Sequence, residues 1–331
     1  MFVHILFNFE DGASGGGNNF LATLRDYFIN NGQYSNSIVD ADVILFNSHH
    51  NIKSVLTSKK KYPNKLFVHR IDGPIRLYND LSDRRDSIVN IVNKYIADGS
   101  IFQSNWSRES NLKMGILSNI NEATIINSPN AKFFFKKNKV KLDSNKKVRL
   151  IATSWSSNTN KGFEIYSWLD RNLDFNKYEM IFVGNSPIKF NNICHKDPMG
   201  PLELSSELRE NDIFITASKK DPCSNALIEA LNCGLPAIAL NDGGHPEILS
   251  QGGILFNDPS TLLNDIDNVS KNYSNYQNNI SLNNIEDTAC QYYQFMNSIH
   301  ENKIKNKYLP KKITYPLLLI IKLKVLWFRL L

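Results

Sequence analysis

Short runs of apolar residues recur along the chain, separated by longer stretches in which apolar residues return every third or fourth position. The first pattern reads as strands buried on both faces and the second as amphipathic helices. In the first half, FVHILFN, ADVILFN and KLFVHRI read as buried strands, and YIADGSIFQS as a strand closing on a turn. NNFLATLRDYFIN and the stretch from Asp83 to Lys94 read as helices between them. The alternation then restarts. VRLIATSW, YEMIFVGN, DIFITAS and LPAIALN read as strands, with helices around GFEIYSWLDRNL, LELSSELREN and SNALIEALNCG. Parallel strands need a crossover between them, usually a helix, so this alternation predicts parallel sheets. Two such blocks in succession predict an α/β protein with two Rossmann-like, doubly wound domains facing a cleft.

The blocks meet at a basic stretch, Lys132 to Arg149, with eight Lys or Arg against the single Asp143. It reads as an interdomain linker, and a solvated charge run explains it without a bound anion. The expected organisation is therefore 1–138 for a first domain, 139–286 for a second, 287–312 for a returning helix and linker, and 313–331 for an apolar, basic tail.

Composition narrows the classes. A chain of 331 residues fits two ordinary domains, and 42% hydrophobic with 21% charged residues is globular rather than disordered. The net charge of +6 is mild for this length and forms no repeated stripe, so nucleic acid is not an expected partner. Cys194, Cys223, Cys233 and Cys290 show no CxxC spacing, which suggests neither a zinc ribbon nor a disulfide framework. Phe2 to Asn8 reads as a strand directly after Met1, so no secretory leader is expected and the expected location is cytoplasmic.

Asp221 to Glu247, DPCSNALIEALNCGLPAIALNDGGHPE, is the segment richest in chemistry. The strand DIFITAS ends in a polar turn, a helix opens near Ser224, and Gly234 with Pro236 stops it. A helix opening directly after a parallel strand points free N–H groups into the crevice above the sheet, where a diphosphate can sit. Ser224, Asn225 and Ala226 form that opening. Glu229 lies roughly 6 to 8 Å further along, placed to accept hydrogen bonds from ribose hydroxyls.

Asp221 and Glu229 stand eight apart, and the flanking EALNCGLPAIALNDGGHPEIL resembles the acidic-x7-Glu signature of glycosyltransferase family 4, within the GT-B fold. The resemblance implies that Glu229 binds the donor ribose and that Asp221, a shortened form of the usual Glu, contacts the transferred sugar. Lys161-Gly162 resembles the Lys-Gly that opens the first helix of the family's donor domain, where a cation stabilises the leaving diphosphate. The family often carries a second cation a few residues earlier, whereas this chain reads Thr153, Ser154, Trp155. Either a hydroxyl of this stretch substitutes, with Ser154 counted among the donor-binding residues, or a cation arrives from elsewhere, Lys219 or Lys220. Gly184 in FVGN resembles the end of the strand preceding the base-recognition region. Gly15-Gly16-Gly17 resembles a glycine-rich loop abutting the donor phosphates, although a plain surface turn would read the same way.

HRIDGPIR places His69, Arg70, Asp72 and Arg76 in what reads as a loop after a buried strand. The resemblance suggests a polar group near the acceptor hydroxyl, with His69 first and Asp72 next. Arg70 or Arg76 would hold an acceptor phosphate, and a loop of internal salt bridges is the alternative. Asp40-Ala41-Asp42 matches D-x-D formally but precedes its strand, at the wrong end of a sheet for catalysis. His49-His50 and Cys194-His195 lack further ligands at metal spacing, so no metal and no cofactor are expected.

The resemblance implies a retaining glycosyltransferase that moves a sugar from a nucleoside-diphosphate sugar to a glycan, a lipid-linked acceptor or another surface-polysaccharide precursor such as lipopolysaccharide. An epimerase-type enzyme of the same fold and a non-catalytic nucleotide-sugar-binding module are the rivals. The tail from Tyr315 to Leu331 has too few apolar residues to span a bilayer. It reads either as an interfacial helix on the inner face of a membrane or as a helix packed on the protein body, with Lys324 nearly opposite Lys322 and Arg329.

Overall fold

The computed structural model describes residues 1–10, 15–136, 142–143 and 145–330, with backbone alone for 329 and 330. The central part of the expected linker, 137–141 with 144, therefore lies outside the described residues, as does the expected 138/139 boundary. The chain divides into two compact units. One comprises Met1–Phe9, Leu21–Ile126 and Ile285–Leu331; the other comprises Glu10–Phe20 and Asn127–Asn284.

The first unit holds the strands β1 (Val3–Leu6), β2 (Val43–Asn47), β3 (Leu66–Ile71), β4 (Gly99–Phe102) and β5 (Glu122–Thr124). They form a five-stranded parallel sheet in sequential order. Tyr34 adds a single parallel bridge to Val3 beyond the β1 edge. The helices are α1 (Gly16–Asn30), α2 (Ile52–Lys61), α3 (Ile75–Tyr78), α4 (Arg85–Tyr95) and α5 (Asn105–Lys113). Ile52, Val55 and Leu56 of α2 and Ile88 and Val92 of α4 recur at helical spacing and pack on Ile44, Phe46 and Phe67 of the sheet.

The last two helices, α12 (Ile285–Ile304) and α13 (Tyr315–Leu330), belong to this same unit. Gly99 sits against Ile299 so closely that a Cβ would come 2.6 Å from its Cδ1. Ile313, Leu318, Ile321 and Val325 enter the core with α2 and α4. A buried ion pair ties the segment between the two helices down. Asp98 accepts from Lys59 Nζ at 2.8 Å and Phe67 N at 2.8 Å, and also from Tyr308 Oη at 3.0 Å and Lys311 N at 2.7 Å. Removing two charges from water is costly, and these additional donors are what make such a pair tolerable.

The second unit holds β6 (Val148–Ser154), β7 (Tyr178–Gly184), β8 (Cys194–Lys196), β9 (Ile213–Thr216), β10 (Ala237–Leu240) and β11 (Gly253–Phe256). Its sheet is six-stranded and parallel, in the order β11-β10-β9-β6-β7-β8. Its helices are α6 (Phe163–Asn172), α7 (Pro201–Glu210), α8 (Asn225–Asn232), α9 (His245–Leu249), α10 (Pro259–Lys271) and α11 (Tyr273–Asn278). Phe163, Tyr166 and Leu169 of α6 and Leu262, Ile266 and Val269 of α10 close one core with Leu150, Phe182 and Ile215 of the sheet. The α8 helix packs separately on β9 and β10, against α7 and α9. Strand order reverses between β6 and β9, and such switch points are where open α/β sheets bind ligands, outside the carboxyl ends of the strands.

Candidate functional site

The two loops leaving the switch point are built around glycines. After β6 the chain turns through a 3-10 segment, Thr159–Lys161, and reaches α6 through Gly162 at φ +78°. A Cβ there would lie 2.2 Å from the carbonyl oxygen of Ala217, just past β9, so both the dihedral and the close approach demand glycine. Lys219 N donates to Asn160 O at 2.7 Å and joins the loops again. This packing brings Lys161 Nζ to 3.0 Å from Asp221 Oδ2, with both side chains largely buried. Burial opposes ionisation of Asp221, but the Lys161 ammonium, the nearby His245 and hydrogen bonds from Lys161 and the Cys223 amide outweigh it, and the carboxyl stays below its ordinary value.

The loop Asp242–His245 wraps the backbone of Asp221. Gly244 N donates to Asp221 O at 2.8 Å, and a Cβ on Gly243, at φ +64°, would meet that oxygen at 2.3 Å. His245 follows, fully buried, with Nδ1 donating to Leu240 O at 2.8 Å. Burial holds its imidazole below the usual value against the pull of Asp221, so the ring is neutral. Its Nε2 is therefore an acceptor, and among the described residues it has no partner.

The helix α8 opens with Ser224 as its cap, Oγ accepting from Leu227 N at 3.4 Å. The next two amides, of Asn225 and Ala226, have no acceptor among the described residues. The glycine run meets the same helix end. A Cβ on Gly16 would lie 2.1 Å from Asn225 Nδ2 and 2.9 Å from its Cβ, whereas at Gly15 and Gly17 it would enter open space. Asn225 Oδ1 is held in turn by Asn127 Nδ2 at 3.1 Å. One turn along α8, Glu229 is half-buried, and no hydrogen bond or ion pair reaches its carboxylate among the described residues. Burial alone pushes this carboxyl up to about 8. An uncompensated acid beside an open helix N-terminus is a group lacking its donors.

Ser154 and Gly184 are register partners at the ends of β6 and β7. Gly184, at φ +120°, lies so close that a Cβ would come 1.9 Å from Ser154 O. The Ser154 hydroxyl donates to Ser156 O at 2.7 Å, which commits it to its own loop. Lys219 pairs with Glu164 at 2.5 Å, while Lys220 stays exposed in a left-handed backbone conformation at φ +54°.

In the first unit His69 and Arg70 lie inside β3, fully buried, as the strand reading of KLFVHRI expects and not in the loop that HRIDGPIR suggested. The apolar run simply continues through them, because each finds an internal partner. His69 stacks on Phe46 with ring centroids 4.4 Å apart and bonds Ser48 O at 3.0 Å, and burial lowers its imidazole to about 4. Arg70 donates to Asn47 Oδ1 at 2.6 Å and Asp72 Oδ1 at 2.9 Å. Asp72, which also accepts from Gln103 and Asn47, is the member of this cluster that reaches solvent, with 30% of its side chain exposed. Arg76 begins in α3 and donates through Nε to Asp83 O at 2.7 Å. Asp42 stands before β2 and accepts from Phe2 N at 2.7 Å, at the amino end of the sheet. Among the described residues no group of three or more His, Cys, Asp or Glu is arranged to hold a metal ion. Asn127, His245, Asn47 and Gln103 are polar members of these clusters that no motif singles out.

Comparison with known proteins finds a family match within the second unit. Residues 169–272 match the family described as Glycosyl transferases group 1. No curated protein sequence matches the chain. Among solved structures, a sucrose-phosphate synthase from Thermosynechococcus elongatus superposes with a TM-score of 0.68 at 14% identity, over 91% of this chain and 100% of that one. Anabaena Alr3699/HepE in complex with UDP gives 0.66 at 15% identity, over 90% and 100%. A glycosyltransferase from Rickettsia africae gives 0.60 at 14% identity, over 89% and 85%. At these identities the superpositions establish the fold, which is GT-B.

Proposed function

We propose that this chain, which has the GT-B fold and matches the family of group 1 glycosyl transferases over residues 169–272, transfers a sugar, with retention, from a nucleoside-diphosphate sugar to a hydroxyl of a glycan or lipid-linked acceptor. The donor belongs to the second unit and the acceptor to the first. The observation that carries the donor assignment is Glu229, a carboxylate with no hydrogen-bond or ion-pair partner among the described residues, one turn beyond the amides of Asn225 and Ala226, which lack acceptors there too. The phosphates take those amides, the ribose hydroxyls donate to Glu229, and Lys161 lies beside the leaving diphosphate. UDP is the first nucleotide to test, since HepE is described in complex with UDP and with UDP-glucose.

In the transfer the bond from the anomeric carbon to the diphosphate oxygen breaks, and the acceptor oxygen bonds to the same face of that carbon. The acceptor proton passes to a phosphate oxygen. Lys161 is the cation available to the departing charge, and Asp221, which holds it at 3.0 Å, positions it and faces the sugar. On the acceptor side the role falls to Asp72, with His69 and Arg70 buried behind it as supports. Calorimetry with UDP, ADP and GDP, followed by transfer assays with the matching sugar nucleotides, tests the reading. Absence of nucleotide binding in all three would overturn it.

A peripheral membrane contact is favoured by α13. Its inner face is in the core, yet Leu319, Leu323, Leu326 and Trp327 remain exposed beside Lys322 and Lys324. Lys60 Nζ lies 3.6 Å above the Tyr315 ring and the Arg84 guanidinium 5.4 Å from Trp327, which adds cations at the same surface. No helix among the described residues is long and apolar enough to cross a membrane. Exposed apolar residues ringed by cations suit an anionic interface. The full chain should float with vesicles containing phosphatidylglycerol, and the double variant Leu323→Glu, Leu326→Glu should not; flotation unaffected by these changes would refute the contact.

A further inference from the structure

Beside β1, at the edge of the first unit's sheet, lies an open cavity of about 480 Å³. That is within the usual range for small-molecule sites, roughly 300–1,000 Å³. It lies wholly within the first unit and shares no residue with the clusters around Asp72 or Glu229.

Its walls combine two chemistries. One is aromatic: Phe7 and Phe9 meet edge to face at 5.5 Å, and His4 and Tyr34 stack at 6.1 Å. The other is a set of uncommitted polar side chains, Asn8, Asn36, Asn51 and Ser54, none of which has a side-chain hydrogen bond among the described residues. Asn51 is the most telling. It occupies the cap position of α2, where an Asn side chain ordinarily takes a helix amide, yet makes no cap bond and holds a left-handed backbone at φ +53°. Among the described residues nothing bonds this side-chain amide, which lines the cavity wall. Charge is nearly absent: Arg25 lies 4.2 Å over the Phe9 ring and is paired with Asp26 at 3.2 Å.

We propose that this cavity is a carbohydrate subsite that holds one or two neutral sugar rings. Apolar ring faces covering C–H surface, with amides and a hydroxyl for the equatorial groups, are what a pyranose requires and what a hydrocarbon or a nucleotide diphosphate does not. Describing that sugar as part of the acceptor rests on the glycosyl-transfer reading; sugar binding in the cavity does not.

Saturation-transfer NMR on the full chain, with maltose, cellobiose and lactose as probes and with UDP present at saturation, tests the proposal. At least one disaccharide should receive saturation with UDP bound. Its affinity should fall about fivefold in Asn36→Ala and in Asn51→Ala, the worth of one neutral hydrogen bond each. Asn36 is exposed, so its variant leaves the fold intact, and UDP affinity, measured separately, should not change in either variant. No saturation of any of the three sugars, affinity unchanged in both variants, or displacement of the sugar by UDP would each overturn the subsite. A silent UDP titration would instead strike the donor assignment and leave this result standing.

Discussion

Glu229 makes nucleotide binding depend on pH in a direction the site dictates. In the free protein, burial holds its carboxyl at about 8, so near neutrality most molecules carry it protonated. Ribose hydroxyls donating to it favour the charged form, so binding lowers this value and releases a proton. If only the ionised form binds, apparent affinity scales with the ionised fraction, about one-tenth at pH 7, one-half at pH 8 and nine-tenths at pH 9. The dissociation constant for UDP should therefore fall about tenfold from pH 7 to pH 9 and then level off. That window avoids the nucleotide's own phosphate, which has already lost its protons above a pKa of about 6. His245, held below its usual value by burial, stays neutral through this window and does not supply the slope. Calorimetry at pH 7, 8 and 9, in two buffers of different ionisation enthalpy, reads both the affinity and the released proton. Glu229→Gln should bind weakly and without slope. The same substitution should raise the melting temperature at pH 8.5 more than at pH 5, because a carboxyl raised on folding loses its stabilising proton as pH climbs through its folded value. A constant affinity between pH 7 and 9, or an equal slope in the Gln variant, would refute the reasoning.

Lys161→Ala should lower the turnover number about 100- to 1,000-fold with a smaller loss of UDP affinity, measured by steady-state kinetics beside calorimetry. Gly16→Ala should weaken nucleotide binding with an unchanged circular dichroism spectrum, since the new Cβ displaces the Asn225 side chain that Asn127 holds at 3.1 Å. Asp98→Asn should destabilise the protein by about 3–5 kcal/mol in urea unfolding, because it strands the Lys59 ammonium in the core. Transfer should persist in excess chelator, and strict dependence on a divalent ion would remove Lys161 from its role.

The elements that could be read in advance are those whose burial is one-sided or complete. VILFN, VRLIATS and IFIT are buried along most of their length and carry the strand signal openly. Glu122–Thr124 and Cys194–Lys196, three residues each at sheet edges and largely uncovered, present no apolar run to find. The α2 helix hides behind its lysines, although Ile52, Val55, Leu56 and Lys59 repeat at helical spacing; its buried Lys59 looks like a surface residue until Asp98 is seen beside it. In the candidate donor site, motif spacing names Lys161, Asp221 and Glu229, but not the ion pair between the first two. The backbone turns at Gly162 and Gly243 create that pair. KLFVHRI carries β3 through His69 and Arg70, but their polar side chains suggest a functional loop until Phe46, Asn47 and Asp72 are seen to hold them inside the unit.

The first unit is closed by the far end of its own chain, with Ile299 against Gly99, Tyr308 and Lys311 on Asp98, and Ile313 to Val325 in its core. During synthesis this unit waits. Its sheet strands leave the ribosome first, but the residues that cover them follow only after the 158 residues from Asn127 to Asn284. At about 5–20 residues per second that interval is on the order of ten to thirty seconds. Over that time Phe46 and Phe67 lack their final covering and Asp98 lacks its donors Tyr308 and Lys311, while the segments of the second unit are completed. The second unit's segments are therefore all synthesised before the first unit has its closing helices.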